Sequence, residues 1–200
     1  MNVIMSESLK KIKKINFLSE LEKKEIISQN VISKKIFVSL GMVNALLKKA
    51  ISKGFVKAKS APYKRYIYYL TKQGFTEKSN LVREYLEDSL SFFKKAKLLY
   101  SEIFKKIKNK NIYIVGEGDL VDVSKLAAIE ANIALNGHLI IKNKKLVILS
   151  GEFEKHTNNS AYVIVESKLP QGVYDDLKKI VPYNSIFHPK ILHISDFEAE

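Results

Sequence analysis

The sequence predicts a two-part chain: an α+β module of short helices closed by a basic hairpin, then one long helix and a small α/β domain. Three observations predict it. Short segments of helical periodicity fill residues 7–53, and a β-rich pair follows at 55–70. Strands and helices then alternate from 111 to 195. The charge divides the same way. Residues 1–110 hold 25 Lys+Arg against 9 Asp+Glu, a net of +16, and residues 111–200 hold 9 against 12, a net of −3. A polyanionic partner is therefore expected for the first part alone.

Composition excludes several classes. Hydrophobic residues make up 46% of 200, enough for a packed core. Cysteine is absent, so disulfides and thiolate metal sites are ruled out, which fits a cytoplasmic protein. No apolar run approaches about 18 residues, so no membrane span is expected. The opening MNVIMSESLKKIKK has too short an apolar run for a signal peptide.

The first helix is expected at 7–15, where Leu9, Ile12 and Ile15 recur at helical spacing. Ser19 with Glu22 three residues on reads as a capping box for a second helix at 20–28. A third is expected at 30–36, capped by Asn30. Ser39 caps a fourth, which runs to Ile51 or Lys53 and is stopped by Gly54. Its expected buried stripe is Leu40, Val43, Leu46, Leu47, Ala50 and Ile51. Two short helices with a tight connection make a helix-turn-helix, and strands at 55–59 and 65–70 around SAPYK make a basic wing.

From Thr76 to Ile107 the pattern is one long helix. Val82, Leu86, Ser89, Phe93, Ala96, Tyr100, Ile103 and Ile107 alternate four and three apart, a heptad seam expected to form a homodimer, with packing against the second domain as the alternative. The expected domains are thus 1–75, the linking and dimerising helix 76–109, and 110–200. In the last, strands are expected at 111–115, 138–142, 145–150, 161–167 and 191–195, with helices at 119–135 and 170–180.

The helix after Ser39 is the expected reading head for double-stranded DNA. Opposite its core stripe it offers Ser39, Met42, Asn44, Ala45, Lys48, Lys49 and Ser52. Asn44 suits an adenine edge or a phosphate, and Met42 and Ala45 suit a thymine methyl. Lys48, Lys49 and Lys53 suit backbone phosphates. The wing adds Lys57, Lys59, Tyr63, Lys64 and Arg65, with Arg65 the candidate for a narrow minor groove.

These residues carry a family resemblance. SLGMVNALLKKAISKGFVKAK and YYLTKQGFTEKSNLVREYLE resemble the MarR-type winged helix-turn-helix regulators associated with exopolysaccharide loci. Matching positions are Ser39, Leu40, Gly41, Val43, Asn44, Leu46, Leu47, Lys53, Gly54, Leu70, Thr71, Gly74, Glu77, Lys78 and Leu81. The resemblance covers about 10–105 and is most specific at 39–86. It implies DNA binding, a dimer and transcriptional control. Phe37 stands where the family usually has a turn glycine, and SQNVISKKI lacks the family's acidic residue.

IYIVGEGDLVDVSKLAAIEA sits where a dinucleotide fingerprint would, after a strand and before a helix. Gly116 and Gly118 fit its first two glycines, but Val121 takes the third place, and Glu117 and Asp119 add charge unsuited to a pyrophosphate. VGEGDLVDVS resembles a diverged copy of the Rossmann-like segment that some relatives carry, and redox-sensing regulators of the Rex type share the order of parts. The expectation is a Rossmann-like domain without cofactor.

His138, His156, His188 and His193 match no compact ligand spacing, so no metal is expected. Ser150-Gly151-Glu152 is no nucleophile elbow, and Asp175 with Lys179 reads as a surface pair. No enzymatic activity is expected. Two alternatives stay open: an adaptor contacting RNA or a protein of the transcription machinery, and a nucleotide-sensing regulator.

Overall fold

The computed structural model describes residues 2–23, 28–61, 65–153 and 155–195. The chain divides into two compact units, residues 1–89 and 90–200.

The first unit begins with helix α1 (Asn2–Glu22), followed by α2 (Gln29–Lys35) and α3 (Leu40–Ser52). Two expected helices are thus one: α1 runs through Ser19 without a break, so the capping box does not start a helix. The reason is the core. Phe17, Leu18 and Leu21 are all buried, so the apolar stripe continues across Ser19 and favours unbroken helix. The start of α2 also moves. Ser28, not Asn30, is its N-cap, and the Ser28 hydroxyl accepts the Val31 N–H at 3.3 Å.

The helix-turn-helix connection solves a local problem. The Val38 N–H reaches back to the Ser33 carbonyl at 3.1 Å, a Schellman closure that needs a left-handed residue between. Phe37 supplies it with φ 52°, doing what a glycine does at a cost of roughly 1–2 kcal/mol. Its side chain is 91% exposed. The departure at Phe37 therefore leaves the turn intact.

Helix α3 carries both expected caps. The Ser39 hydroxyl accepts the Met42 N–H at 3.2 Å. At the other end Gly54 (φ 72°) closes a second Schellman motif, with Phe55 N–H on the Ala50 carbonyl and Gly54 N–H on Ile51, both at 2.9 Å. Val43, Leu47 and Ala50 are buried, as expected. Leu40 and Ile51 are not: they are 46% and 42% exposed, because they lie at the flank of the stripe rather than on it.

The wing is an antiparallel pair, β1 (Val56–Ala61) and β2 (Arg65–Leu70), in register Val56↔Leu70 through Ala61↔Arg65. Val56, Tyr68 and Leu70 join the core made by α1, α2 and α3. Gln29 at the head of α2 donates to the Tyr68 hydroxyl at 3.0 Å, which ties the wing to the helix-turn-helix.

Helix α4 (Lys72–Lys106) starts four residues earlier than expected. Thr71 caps it: its hydroxyl accepts the Gly74 N–H at 3.1 Å and donates to the Gly54 carbonyl at 2.7 Å. The heptad seam is corrected in its second half. Ala96, Tyr100 and Ile107, with Phe104, are buried in the core of their own unit, and Phe93 and Ile103 pack against it. From 93 onward the seam is filled by this chain's own sheet and is not available to a second copy. Leu86 and Leu90, 52% and 57% exposed, remain open.

The second unit holds β3 (Asn111–Val115), α5 (Leu120–Glu130), β4 (Gly137–Lys142), β5 (Lys145–Gly151), β6 (Ser160–Ile164), α6 (Pro170–Leu177) and β7 (Ile186–Phe187). The sheet order is β5-β4-β3-β6-β7, parallel throughout except for β5 against β4. In strand sequence this is 3-2-1-4-5, which reverses direction between β3 and β6. β3 and β6 are buried on both faces, which suits their unbroken apolar runs. Several expectations fail in this unit. The helix after β3 stops at Glu130, five residues early. ILHIS is no strand: Lys190–Leu192 form a 3-10 turn, and His193 takes φ 50°. Ile186 and Phe187, expected in a loop, pair with β6 instead.

Candidate nucleic-acid interface

The expected contact residues gather on α3 and β1. Ser39, Met42, Ala45, Lys48, Lys49 and Ser52 are exposed on α3, and Asn44 is half-buried at its flank. Lys53 follows as the C-cap, exposed, with its ammonium 5.8 Å from the Phe55 ring centre. On β1, Lys57 and Lys59 are exposed and two residues apart, so they share one face of the hairpin. Tyr63 and Lys64 lie outside the described residues. The Arg65 backbone pairs with Ala61, in the row that also holds Lys57 and Lys59.

Ion pairing separates two kinds of lysine in this unit. Lys11 bonds Asp88 at 2.7 Å, Lys14 bonds Glu77 at 2.5 Å, Lys35 meets Glu20 at 3.2 Å, and Lys78 pairs with Glu22. The hydrogen bond to Asp88 raises the Lys11 pKa above its usual value. These pairs clamp α1 to α2 and α4. By contrast, Lys48, Lys49, Lys53, Lys57 and Lys59 have no carboxylate partner among the described residues. Paired cations hold the module together; among the described residues Lys10, Lys13, Lys34 and Lys72 are exposed and unpaired elsewhere on it, and the five on the recognition helix, its C-cap and the wing form the largest such group. A row of unpaired ammonium groups beside an exposed helix is suited to phosphate.

Leu40 was missed as a candidate. It stands exposed on the first turn of α3, near Gly41, whose added Cβ would meet nothing within 4 Å. Helical periodicity alone put Leu40 in the core; its position in the first turn, beyond the reach of the neighbouring helices, was the overlooked signal.

The second unit assembles no catalytic or metal constellation among the described residues. No group of three His, Cys, Asp or Glu residues can hold a metal there. Three of the four histidines have separate partners. His138 Nε2 donates to the Gly116 carbonyl at 2.7 Å, His156 Nδ1 lies 3.2 Å from the Tyr162 hydroxyl, and His188 stands edge-on to Tyr174. Burial lowers the His188 pKa. Asp175 bonds Gln171 at 2.9 Å rather than Lys179, which pairs with Asp176 at 3.0 Å. Among the described residues no single helix is long and apolar enough to cross a membrane.

The Gly116–Gly118 turn lies at the carboxyl end of β3, beside the end of β6. Gly116 has φ 123°, and a Cβ there would sit 2.6 Å from the Glu166 nitrogen. Glu166 turns its carboxylate onto this turn: it accepts the Glu117 N–H at 3.0 Å and the Lys168 N–H at 2.7 Å. The Leu169 N–H adds a third, longer bond at 3.4 Å.

Comparison with known proteins agrees with the first unit. Residues 13–57 match a family described as winged helix-turn-helix DNA-binding. No curated protein matches the chain. Among solved structures, one similar chain is MepR of Staphylococcus aureus, a transcription regulator of the multidrug efflux pump MepA. It has 17% identity and a TM-score of 0.37, over 46% of this chain and 77% of that one. Another is a protein of unknown function from Listeria innocua, with 18% identity and a TM-score of 0.34, over 66% and 85%. These two likenesses are loose. The family match, with the capped α3 and the paired wing, gives the conclusion: this chain carries a winged helix-turn-helix of the DNA-binding kind at its N-terminal end.

Proposed function

We propose that the protein is a MarR-type transcriptional regulator that binds specific double-stranded DNA as a homodimer. Helix α3 enters the major groove, and the wing lies along the flanking backbone. The observation that carries this is the cluster of five exposed lysines, Lys48, Lys49, Lys53, Lys57 and Lys59, on α3, its C-cap and β1, none with a carboxylate partner among the described residues. Asn44 reads a base edge from the flank of α3, with Met42 and Ala45 beside it. Gly116 and Gly118 serve the fold of the second unit, and no cofactor is required for binding.

The test is a salt titration with duplex DNA. Each phosphate contact contributes about 0.9 to the slope of log affinity against log salt. Lys48→Ala and Lys64→Ala are each expected to weaken binding to every duplex and to flatten that slope by about one unit. An unaltered slope in both variants would count against the interface.

The dimer contact is assigned to the open part of α4, at Leu86 and Leu90. Replacing Leu90 with Glu places two carboxylates in an apolar contact, and the solution mass is expected to fall by about half. A mass unchanged by this substitution refutes the α4 contact and leaves the DNA interface standing.

A further inference from the structure

The second unit ends its sheet on one side with β5, whose outer edge has no partner strand among the described residues. Three consecutive apolar side chains on it are open: Val147 at 38%, Ile148 at 39% and Leu149 at 50% exposure. Natural edge strands are usually guarded by proline, by a charge within the strand, by shortness or by a bulge. From Leu146 to Gly151 there is no proline and no charge, and β5 is seven residues long. The guards are Lys145 at the first position of the strand and a register shift against β4 between His138 and Leu139, which leaves Lys145–Ile148 regular.

We propose that β5 is a self-association edge, on which a second copy of this chain lays its own β5 antiparallel. The charges at its two ends identify the occupant. Lys144 and Lys145 stand at the start of the strand and Glu152 just past its end. An antiparallel copy sets Lys144 opposite the other chain's Glu152, with Lys145 beside it opposite Gly151, and leaves the uncharged run LVILS facing itself. A two-fold axis near Ile148 does this at both ends at once, as an isologous contact requires. The two five-stranded sheets then become one of ten strands, and Val147, Ile148 and Leu149 gain apolar neighbours across the join. This contact is separate from the α4 contact, does not depend on DNA binding, and joins two α4-paired homodimers into a tetramer, so that Leu90→Glu alone leaves a pair held through β5.

The absence of cysteine makes the test direct. In a Leu90→Glu background, which removes assembly through α4, Ile148→Cys and Leu146→Cys are each oxidised with copper–phenanthroline at micromolar protein. Around an axis at Ile148 the two introduced thiols at 148 fall within disulfide reach. Those at 146 are separated by roughly 13 Å. Ile148→Cys is expected to give at least about ten times the linked dimer of Leu146→Cys, and equal yields overturn the proposal. Val147→Lys in the same background is expected to halve the mass measured by light scattering. An unchanged mass, or a parent that is already monomeric at 100 µM, also overturns it. Circular dichroism reports whether Val147→Lys folds; should it not, the cysteine pair decides alone.

Discussion

Gly74→Ala is expected to destabilise the first unit by about 2–3 kcal/mol, the cost of overpacking a tight site, and to abolish duplex binding with it. An added Cβ would lie 2.1 Å from the Phe55 carbonyl oxygen and 3.0 Å from its carbon. Both atoms are backbone, so no side-chain rotation makes room. The obstacle is also a junction. The Phe55 carbonyl accepts the Thr71 N–H at 3.0 Å, and the Thr71 hydroxyl holds the neighbouring Gly54 carbonyl. A shift large enough to admit a methyl group breaks the bonds that set α4 against the end of α3 and the start of the wing. Gly41→Ala is the matched control. It lies in α3 with open space around it, and helix propensity predicts a gain of about 0.5–1 kcal/mol. Urea unfolding of both variants checks the pair; equal midpoints would show that the Gly74 contact is not tight.

Tyr100 is expected to be the most costly side chain to remove from the second unit. It is fully buried, stacks on Phe104 at 6.2 Å between ring centres, and donates its hydroxyl to the Ile164 carbonyl at 3.0 Å. Tyr100→Ala should cost about 4 kcal/mol, as large aromatic truncations do. Tyr100→Phe keeps the ring but deprives the carbonyl of that donor, for about 1–2 kcal/mol. The same burial raises the phenol pKa well above its ordinary 10.0. The folded value lies above the unfolded one, so this contribution is complete below pH 10. It is lost as pH rises from there toward the folded value, because the unfolded chain ionises first. Each such group steepens the loss by about 1.4 kcal/mol per pH unit. Burial also raises the Tyr162 pKa, so two groups share the alkaline limb. Tyr100→Phe should remove one proton from its slope, and a slope identical to the parent's would refute the assignment.

Legibility in the sequence followed how local each signal is. Helix α3 could be read end to end, because Ser39 and Gly54 act through bonds within a few residues. The wing could be read because β-rich runs flank a short polar segment. The break expected at Ser19 failed for the opposite reason. A capping box is a pattern of two residues, and it lost to Leu18 and Leu21, whose burial depends on partners far along the chain. The seam on α4 shows the same limit. A heptad stripe announces apolar burial but does not name the surface that provides it, and from Phe93 on that surface is the chain's own sheet. The C-terminal strand was misplaced because IFH and ILHIS are equally β-rich; pairing with β6 chose the first. On the interface, side-chain type and helical phase located the lysines, whereas their lack of counter-charges emerged only when distant carboxylates were placed beside other lysines.

Glu166 gives the glycine turn a resident tenant. Its carboxylate takes the Glu117 N–H of the turn together with the Lys168 and Leu169 N–H groups of its own loop, and, tethered to the neighbouring strand, it forfeits no translational freedom by staying. A visiting anion would have to evict it with more than negative charge. The turn thus works as a clasp between neighbouring strands, and a hinge there would open only when its own latch lets go.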